Sequence, residues 1–449
     1  MSKERSERRD HGPRLVFAGC AFDTGNLGVN ALGHSAIAGL AERLHGVEAV
    51  ALDHSDGRSR MTLPDRSGAS IEVTRAGARL SRRAWEPETW SRLKLHAAVG
   101  FGSATAALLR DAAALLDVSG GDSFTDLYGP WRYRSVTEPK RFALKHRVPL
   151  IFLPQTYGPF RDERVRSDAA SLVGAAEMAW ARDERSFEVL KELLGDRFDP
   201  TRHRVGVDVA FGLPSHPPAK LPTSFDESGG EPPVGLNVSG LIYNDPNAAR
   251  ERYRFVLDYR ELVARFVRWL IEERGARVTL VPHVVPGGDV VESDPRANRA
   301  VLKELGDFGG RLSLLPEGFD QCETKWLISR CAWFCGTRMH STIAGLSSGT
   351  RTATVSYSPK ALGVFESCGL GEAVVDPTSL STDEALERLR SIYDDRERLG
   401  GVLQERLPAV LATADAQMDE IADAIASKAG LRRKGAAAAG AVEAGSAPA

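Results

Sequence analysis

The sequence predicts an α/β protein of two parallel-sheet, Rossmann-like domains. Three observations carry this. Short apolar runs alternate with helix-patterned runs along most of the 449 residues, as in a parallel sheet with crossover helices. Residues 213–233 contain six prolines and no periodicity, and they divide the chain into two such series. The most chemically distinctive polar residues fall where the apolar runs end, which is the ligand-binding edge of a parallel sheet.

Residues 1–13 are charged throughout and contain no apolar h-region, so no signal peptide is expected. The first domain, 14–212, opens with a strand at 15–21 and the loop Asp23-Thr-Gly-Asn-Leu-Gly-Val-Asn30. A helix follows over 31–44, with Ile37, Leu40, Ala41 and Leu44 on one face. The loop lacks Gly-x-Gly-x-x-Gly spacing, so no dinucleotide site is expected; it cradles an anion or is a plain βα turn. A second strand is expected at 47–53, while 61–86 is basic and poorly patterned. Residues 93–109 have helical composition interrupted by two glycines. The strand at 113–118 opens into Ser119-Gly-Gly-Asp122, and that at 149–154 into Gln155-Thr-Tyr-Gly-Pro-Phe160. A strand at 177–181 ends at Arg182-Asp183, with Asp183 or Ser186 capping a helix that runs to Leu194. The last strand of this domain, 205–211, carries Asp208.

After the 213–233 linker, the second domain spans 234–427 and begins with a strand ending in Asn237-Val-Ser-Gly240. An amphipathic helix over 253–273 precedes a strand at 277–281 that runs into Pro282-His283. Another strand at 311–315 and a helix at 319–329 lead to Cys331-Ala-Trp-Phe-Cys-Gly-Thr-Arg-Met-His340-Ser341. This stretch reads as strand, tight turn and helix, with Gly349 as the stop. Arg338 and His340 therefore stand where a strand ends and free helical N–H groups favour an anion. A fixed cation beside a titratable imidazole suits acid chemistry on an anionic substrate. A surface arginine and a helix-capping histidine fit the same spacing. The strand at 351–357 leads to Ser358-Pro-Lys360, a short strand follows at 373–375, and 382–426 is largely helical with a break near Gly400. Residues 428–449, Ala/Gly-rich after a basic run, predict a disordered tail.

With 58 basic and 60 acidic residues the net charge is −2, which argues against a nucleic-acid surface. No run reaches the ~18 apolar residues of a membrane span, although peripheral association is compatible with the sequence. The five cysteines (Cys20, Cys322, Cys331, Cys335 and Cys368) include no pair at metal-site spacing and read as buried thiols. A soluble, cytoplasmic protein with no metal and no cofactor is expected, of undefined oligomeric state.

Nine motifs in order then carry a family resemblance: Gly25-Asn26-Leu27-Gly28, Gly120-Gly121-Asp122, Gln155-Thr-Tyr-Gly-Pro-Phe160, Arg182-Asp183-x-x-Ser186, Asp208-Val-Ala-Phe211, Asn237-Val-Ser239, Pro282-His283, Gly336-Thr-Arg-Met-His340-Ser341 and Tyr357-Ser-Pro-Lys360. From about residue 15 to about 371 the chain resembles the polysaccharide pyruvyl transferase family. The resemblance implies an architecture like that of GT-B glycosyltransferases. It also implies transfer of the carboxyvinyl unit of phosphoenolpyruvate, a co-substrate, to a cell-envelope or exopolysaccharide sugar. The product is a ketal, phosphate is released, and the acceptor is a free or lipid-linked glycan. By motif match His340 corresponds to the general acid and Arg338 to a donor-binding residue. The sequence departs from the family pattern at Gly120-Gly-Asp122, where three glycines are common, and at Gly28-Val-Asn30, where many members carry an acidic pair; both departures put the acceptor's identity in question.

Phosphoenolpyruvate needs fixed cations. Lys360 and Arg338 follow neighbouring strand candidates, and Thr337 and Tyr357 add hydroxyl donors beside them. His283 contacts phosphate, takes the acceptor's proton, or is a structural histidine. Arg182 holds an anion or forms a turn pair with Asp183. Asn26, Asn30, Asp122 and Gln155 are candidates for hydrogen bonds to sugar hydroxyls. Two rival functions stand beside this one: a nucleotide-sugar glycosyltransferase on the same architecture, and a non-catalytic glycan-binding protein.

Overall fold

The computed structural model describes residues 12–434 except 84, 226–230, 289 and 357–358. Two sheets organise it. The first has β1 (Arg14–Ala18), β2 (Glu48–Asp53), β3 (Arg58–Pro64), β4 (Ser70–Gly77), β5 (Ala114–Asp117), β6 (Leu150–Gln155), β7 (Met178–Ala181) and β8 (His203–Val205), in the order β3-β4-β2-β1-β5-β6-β7-β8. The second has β9 (Val234–Asn237), β10 (Val278–Leu280), β11 (Leu312–Leu314), β12 (Trp333–Gly336), β13 (Thr352–Val355) and β14 (Val374–Val375), in the order β11-β10-β9-β12-β13-β14. Every pairing is parallel except β3 with β4. Central strands such as Ala114-Leu-Leu-Asp117 and Met178-Ala-Trp-Ala181 are buried along their whole length, as strands covered by helices on both faces must be.

Helix starts are fixed by side-chain caps. Asn26 accepts from Gly28 N and Val29 N at the head of Leu27–Arg43, and Asp183 accepts from Ser186 N at the head of Glu184–Leu194. The helix Arg396–Ala429 reaches back onto the first half. Its Gln417 bonds both the N–H and the carbonyl of Val207, and its Asp415 and Asp419 hold Arg43.

Several sequence expectations need correction. The poorly patterned stretch 61–86 instead opens with most of an antiparallel pair, β3 and β4, with Met61 facing Val73 and Leu63 facing Ile71. The strand expected at 205–211 stops at Val205, because Asp208 caps a 3-10 turn over Val209–Gly212. The terminal helical break falls at Asp395, between Thr382–Asp394 and Arg396–Ala429, not at Gly400. Residues 428–434, expected to belong to a disordered tail, are ordered. The helix continues to Ala429, Arg433 pairs with Asp419, and the N–H of Lys434 bonds the Arg43 carbonyl. Residues 435–449 lie outside the described residues.

Candidate active site

The C-terminal edges of the two sheets meet, and backbone bonds stitch them. Leu27 N donates to the His283 carbonyl at 3.0 Å, and Val285 N donates to the Gly25 carbonyl at 2.7 Å. The helix Met339–Ser347 starts at this seam with Arg338 as its N-cap residue. His340, in its first turn, belongs to the second half but reaches into the first. A Cβ on Gly28 would stand 2.8 Å from both Cβ and Nδ1 of His340, and one on Gly121 would stand 3.4 Å from its Cε1. Gly28 is therefore needed so that the backbone can approach the imidazole, whereas Gly121 is required by its φ of +82° and by Arg182 Nη1, 3.1 Å from such a Cβ. Nε2 faces the buried Asp208 carboxylate at 3.8 Å, and 12% of the side-chain surface stays accessible, enough for a ligand atom to touch it. Burial lowers the imidazole's pKa, and Asp208 opposes that shift.

Asp208 is also the partner of Arg182, whose Nη1 donates to it at 3.0 Å, both groups being wholly buried. Arg182 thus lies beneath the site and does not present its guanidinium to a ligand, a correction to the donor-binding role. Gln155 is corrected on the same ground: it is buried and donates to the Asp117 carbonyl. Asn26 spends its oxygen on the helix cap. Asn30 is half-buried, and its Oδ1 has no hydrogen-bond partner.

On the opposite wall the organiser is a residue that the sequence reading passed over. Asp294, the first residue of the helix Asp294–Leu305, is wholly buried. It accepts from Asn237 Nδ2, Gly240 N, His283 N and Val284 N. Nε and Nη2 of Arg338 fork onto its Oδ1 at 3.2 and 2.9 Å. The Arg338 N–H is held by Asn237 Oδ1 at 2.9 Å. Ser293-Asp294-Pro295 is a helix-start signature, the one signal that would have pointed to it. Thr337 shares a 2.7 Å bond with Tyr259 OH. The His283 ring is buried, and its pKa is pushed down to about 3, first by burial and then by the nearby His340 and Arg338. In the ligand-free protein it is therefore a neutral imidazole.

Two cavities open along the seam. One, of about 600 Å³, is walled by Gly120, Asp122, Arg132, Arg252, Glu292 and Arg338 among others. The other, of about 870 Å³, receives Lys360, Arg161, Arg185 and Arg254. They share Tyr128, Arg252 and Tyr253. Lys360 Nζ meets Asp122 Oδ2 at 3.3 Å across the divide. Burial would raise the Asp122 carboxyl, but Lys360 and Arg182 hold it below its ordinary range. Lys360 is lowered by burial against the pull of Asp122. Arg338 and Lys360 therefore line two different, adjoining cavities and not the single cleft expected for them. Tyr357 lies outside the described residues. Among the described residues, no group of three or more His, Cys, Asp or Glu is arranged to hold a metal ion.

Comparison with known proteins places this geometry. The model of the family "Polysaccharide pyruvyl transferase" matches residues 26–359. The amylovoran biosynthesis protein AmsJ of Erwinia amylovora is 24% identical over 310 residues, covering 66% of this chain and 70% of that protein. Among solved structures, a putative UDP-N-acetylglucosamine 2-epimerase of Listeria monocytogenes superposes with a TM-score of 0.57 at 12% identity, over 93% of this chain and 96% of that one. Phytolacca americana UGT2, solved with UDP-2fluoro-glucose and pterostilbene, gives a TM-score of 0.52 at 14% identity, over 93% and 100%. The fold is the two-domain GT-B architecture.

Proposed function

Because the chain belongs to the polysaccharide pyruvyl transferase family, we propose that it moves the pyruvyl unit of phosphoenolpyruvate onto two hydroxyls of a cell-envelope or exopolysaccharide sugar. The observation that carries this reading is His340. It is an imidazole from one half, set against Gly28, Gly121 and Asp208 of the other, beside a cavity walled by Arg132, Arg252 and Arg338. Those guanidinium groups suit a small donor that bears both carboxylate and phosphate.

In this reading His340 delivers its proton to the methylene carbon of the enol. One sugar hydroxyl attacks the neighbouring carbon and forms the first C–O bond. The C–O bond to phosphate breaks, and a second hydroxyl closes the ketal. Of the two hydroxyl protons, one leaves with phosphate and one restores His340. Burial lowers the imidazole's pKa in the free enzyme, so the bound trianionic donor must raise it before proton transfer at neutral pH. Asp208 works in the same direction.

The test is phosphate release from phosphoenolpyruvate against a panel of sugar acceptors. His340→Gln keeps much of the shape but cannot deliver a proton, so it should lose ~10²–10⁴-fold in kcat while folding normally. Full activity in that variant would end the general-acid role. Nucleotide diphosphate release from a sugar nucleotide would point to the glycosyltransferase reading, and glycan binding without turnover to the binding-protein reading.

A further inference from the structure

A surface apart from the site carries large apolar side chains in the open. Trp85 is 73% exposed, Leu95 60%, Val99 48%, Phe101 76% and Trp131 45%. Leu95 and Val99 lie one turn apart on the helix Trp90–Val99, and Phe101 follows its end. Trp85 is tied to that helix, since Arg92 Nη1 bonds its carbonyl at 2.8 Å. Lys94 pairs with Glu138, which joins the helix to Pro130–Lys145. Trp131 stands near the start of that second helix, with the Arg82 guanidinium 5.7 Å from its ring centre. These elements therefore form one continuous face. Single exposed apolar residues need no explanation, whereas a cluster this size on one face does.

The charge around the cluster narrows what covers it. Between Arg79 and His96 the chain carries five basic residues and two acidic ones, of which Arg79 pairs with Asp56, Arg83 with Glu86 and Lys94 with Glu138, although the whole chain is slightly acidic. Arg82 and Arg83 are exposed beside Trp85. Exposed tryptophan, phenylalanine and leucine interleaved with arginine and lysine have the composition of an interfacial membrane anchor. Among the described residues no helix is long and apolar enough to cross a membrane, so the face would lie on a bilayer and not span it. Both of its helices also reach the site: Trp90, at the opposite end of its helix from Val99, and Arg132, next to Trp131, line the 600 Å³ cavity.

We propose that this face docks the protein on an anionic bilayer surface, with the mouth of the cavity turned toward an acceptor held at that surface. The docking stands on the surface alone; the lipid-held acceptor rests on the proposed transferase reading. Lipid binding and turnover are therefore measured separately.

The full chain is sedimented with vesicles of phosphatidylcholine alone and of phosphatidylcholine mixed with phosphatidylglycerol. It should bind the mixed vesicles, and binding should weaken as salt rises. The pair Arg82→Gln and Arg83→Gln should weaken that binding about 25-fold, from roughly fivefold per basic residue near an anionic surface. The pair Trp85→Ser and Phe101→Ser should weaken it at least about tenfold. Both variants should keep the wild-type melting temperature and wild-type turnover of a water-soluble acceptor. Failure to bind either vesicle overturns the proposal, as does equal binding to both. A lipid-free dimer that Trp85→Ser and Phe101→Ser breaks would assign the face to a second copy and overturn it as well. If docking holds while no acceptor turns over, the failure belongs to the transferase reading and not to this one.

Discussion

On the C-terminal wall of the cleft, Asp294 is buried and every hydrogen bond it makes is to a group that shapes the site. Four donors from Asn237, Gly240, His283 and Val284 converge on it, and the Arg338 fork completes the set. The N-terminal wall, into which His340 projects, is different. There, His340 Nε2, Asp117 Oδ1, Gln155 Oε1, Arg182 Nε and Asp183 Oδ2 are buried without a hydrogen-bond partner. Buried polar atoms are ordinarily paired with protein or water, and two of these, Arg182 Nε and Asp183 Oδ2, face each other at 3.8 Å. The first wall is a frame that fixes a cation before any ligand arrives. The second holds polar atoms at low dielectric beneath the site, where a charge arriving beside His340 is felt most strongly.

The largest expected effect comes from breaking the frame. Asp294→Ala leaves the Arg338 guanidinium beside an empty partner position and strips acceptors from three backbone N–H groups. Removing one member of a buried ion pair costs about 3–5 kcal/mol. Urea unfolding should show a loss of at least that size, together with weaker donor binding as Arg338 loses its orientation. A loss under about 1 kcal/mol would mean that the C-terminal wall is no more rigid than its counterpart.

A smaller effect is expected where the walls touch. Gly28→Ala places a methyl 2.8 Å from the His340 ring, and the backbone there needs no left-handed conformation. The helix start resists movement because Asn26 caps it, so the imidazole must yield. Overpacking of this kind costs about 1–3 kcal/mol. Turnover should fall more than stability implies, by about tenfold or more, because displacement of a reacting group by about 1 Å is severe for catalysis. Unchanged kcat with an intact fold would show that His340 does not need its present position.

The sequence revealed one wall better than the other. Arg338 and His340 were legible because a buried strand, a Gly-Thr turn and an apolar helix follow one another within sixteen residues or so, and that order leaves the junction at a sheet edge. Asp294 was not, because its importance lies in contacts to residues as far away as Asn237 and Arg338, which no local pattern encodes. Arg182 and Gln155 were placed at the correct strand ends, but strand position does not say whether a side chain turns toward solvent or under the sheet edge. The β3–β4 pair was missed for another reason. The edge strand β3 carries charge as protection against further pairing, and Arg58 and Arg60 there, like Glu72 and Arg75 on its inner neighbour β4, hid the alternation of Met61 with Leu63 and of Ile71 with Val73.

The smallest expected effect is a change of slope with pH, and it distinguishes the two imidazoles. His283 has its pKa pushed down to about 3 in the folded protein, whereas an unfolded histidine titrates near 6.5. The unfolded chain therefore takes up a proton at this residue as pH falls through about 6.5, and the folded chain does not until near 3. The stabilising contribution is fully present above the unfolded pKa and is lost progressively as pH falls through that window. At pH 5 the loss should amount to about 2 kcal/mol. His340 is lowered as well and adds to the slope with the same sign, so removing His283 alone should flatten the dependence without abolishing it. His283→Asn is the test, with urea midpoints taken at about pH 7.5, 6 and 5. The variant should be the less stable protein at the highest pH, because it loses a packed ring, and the gap to wild type should narrow toward the lowest. A gap that widens on acidification would mean that His283 gains a proton in the folded state, and would return it to the role of a cationic phosphate ligand.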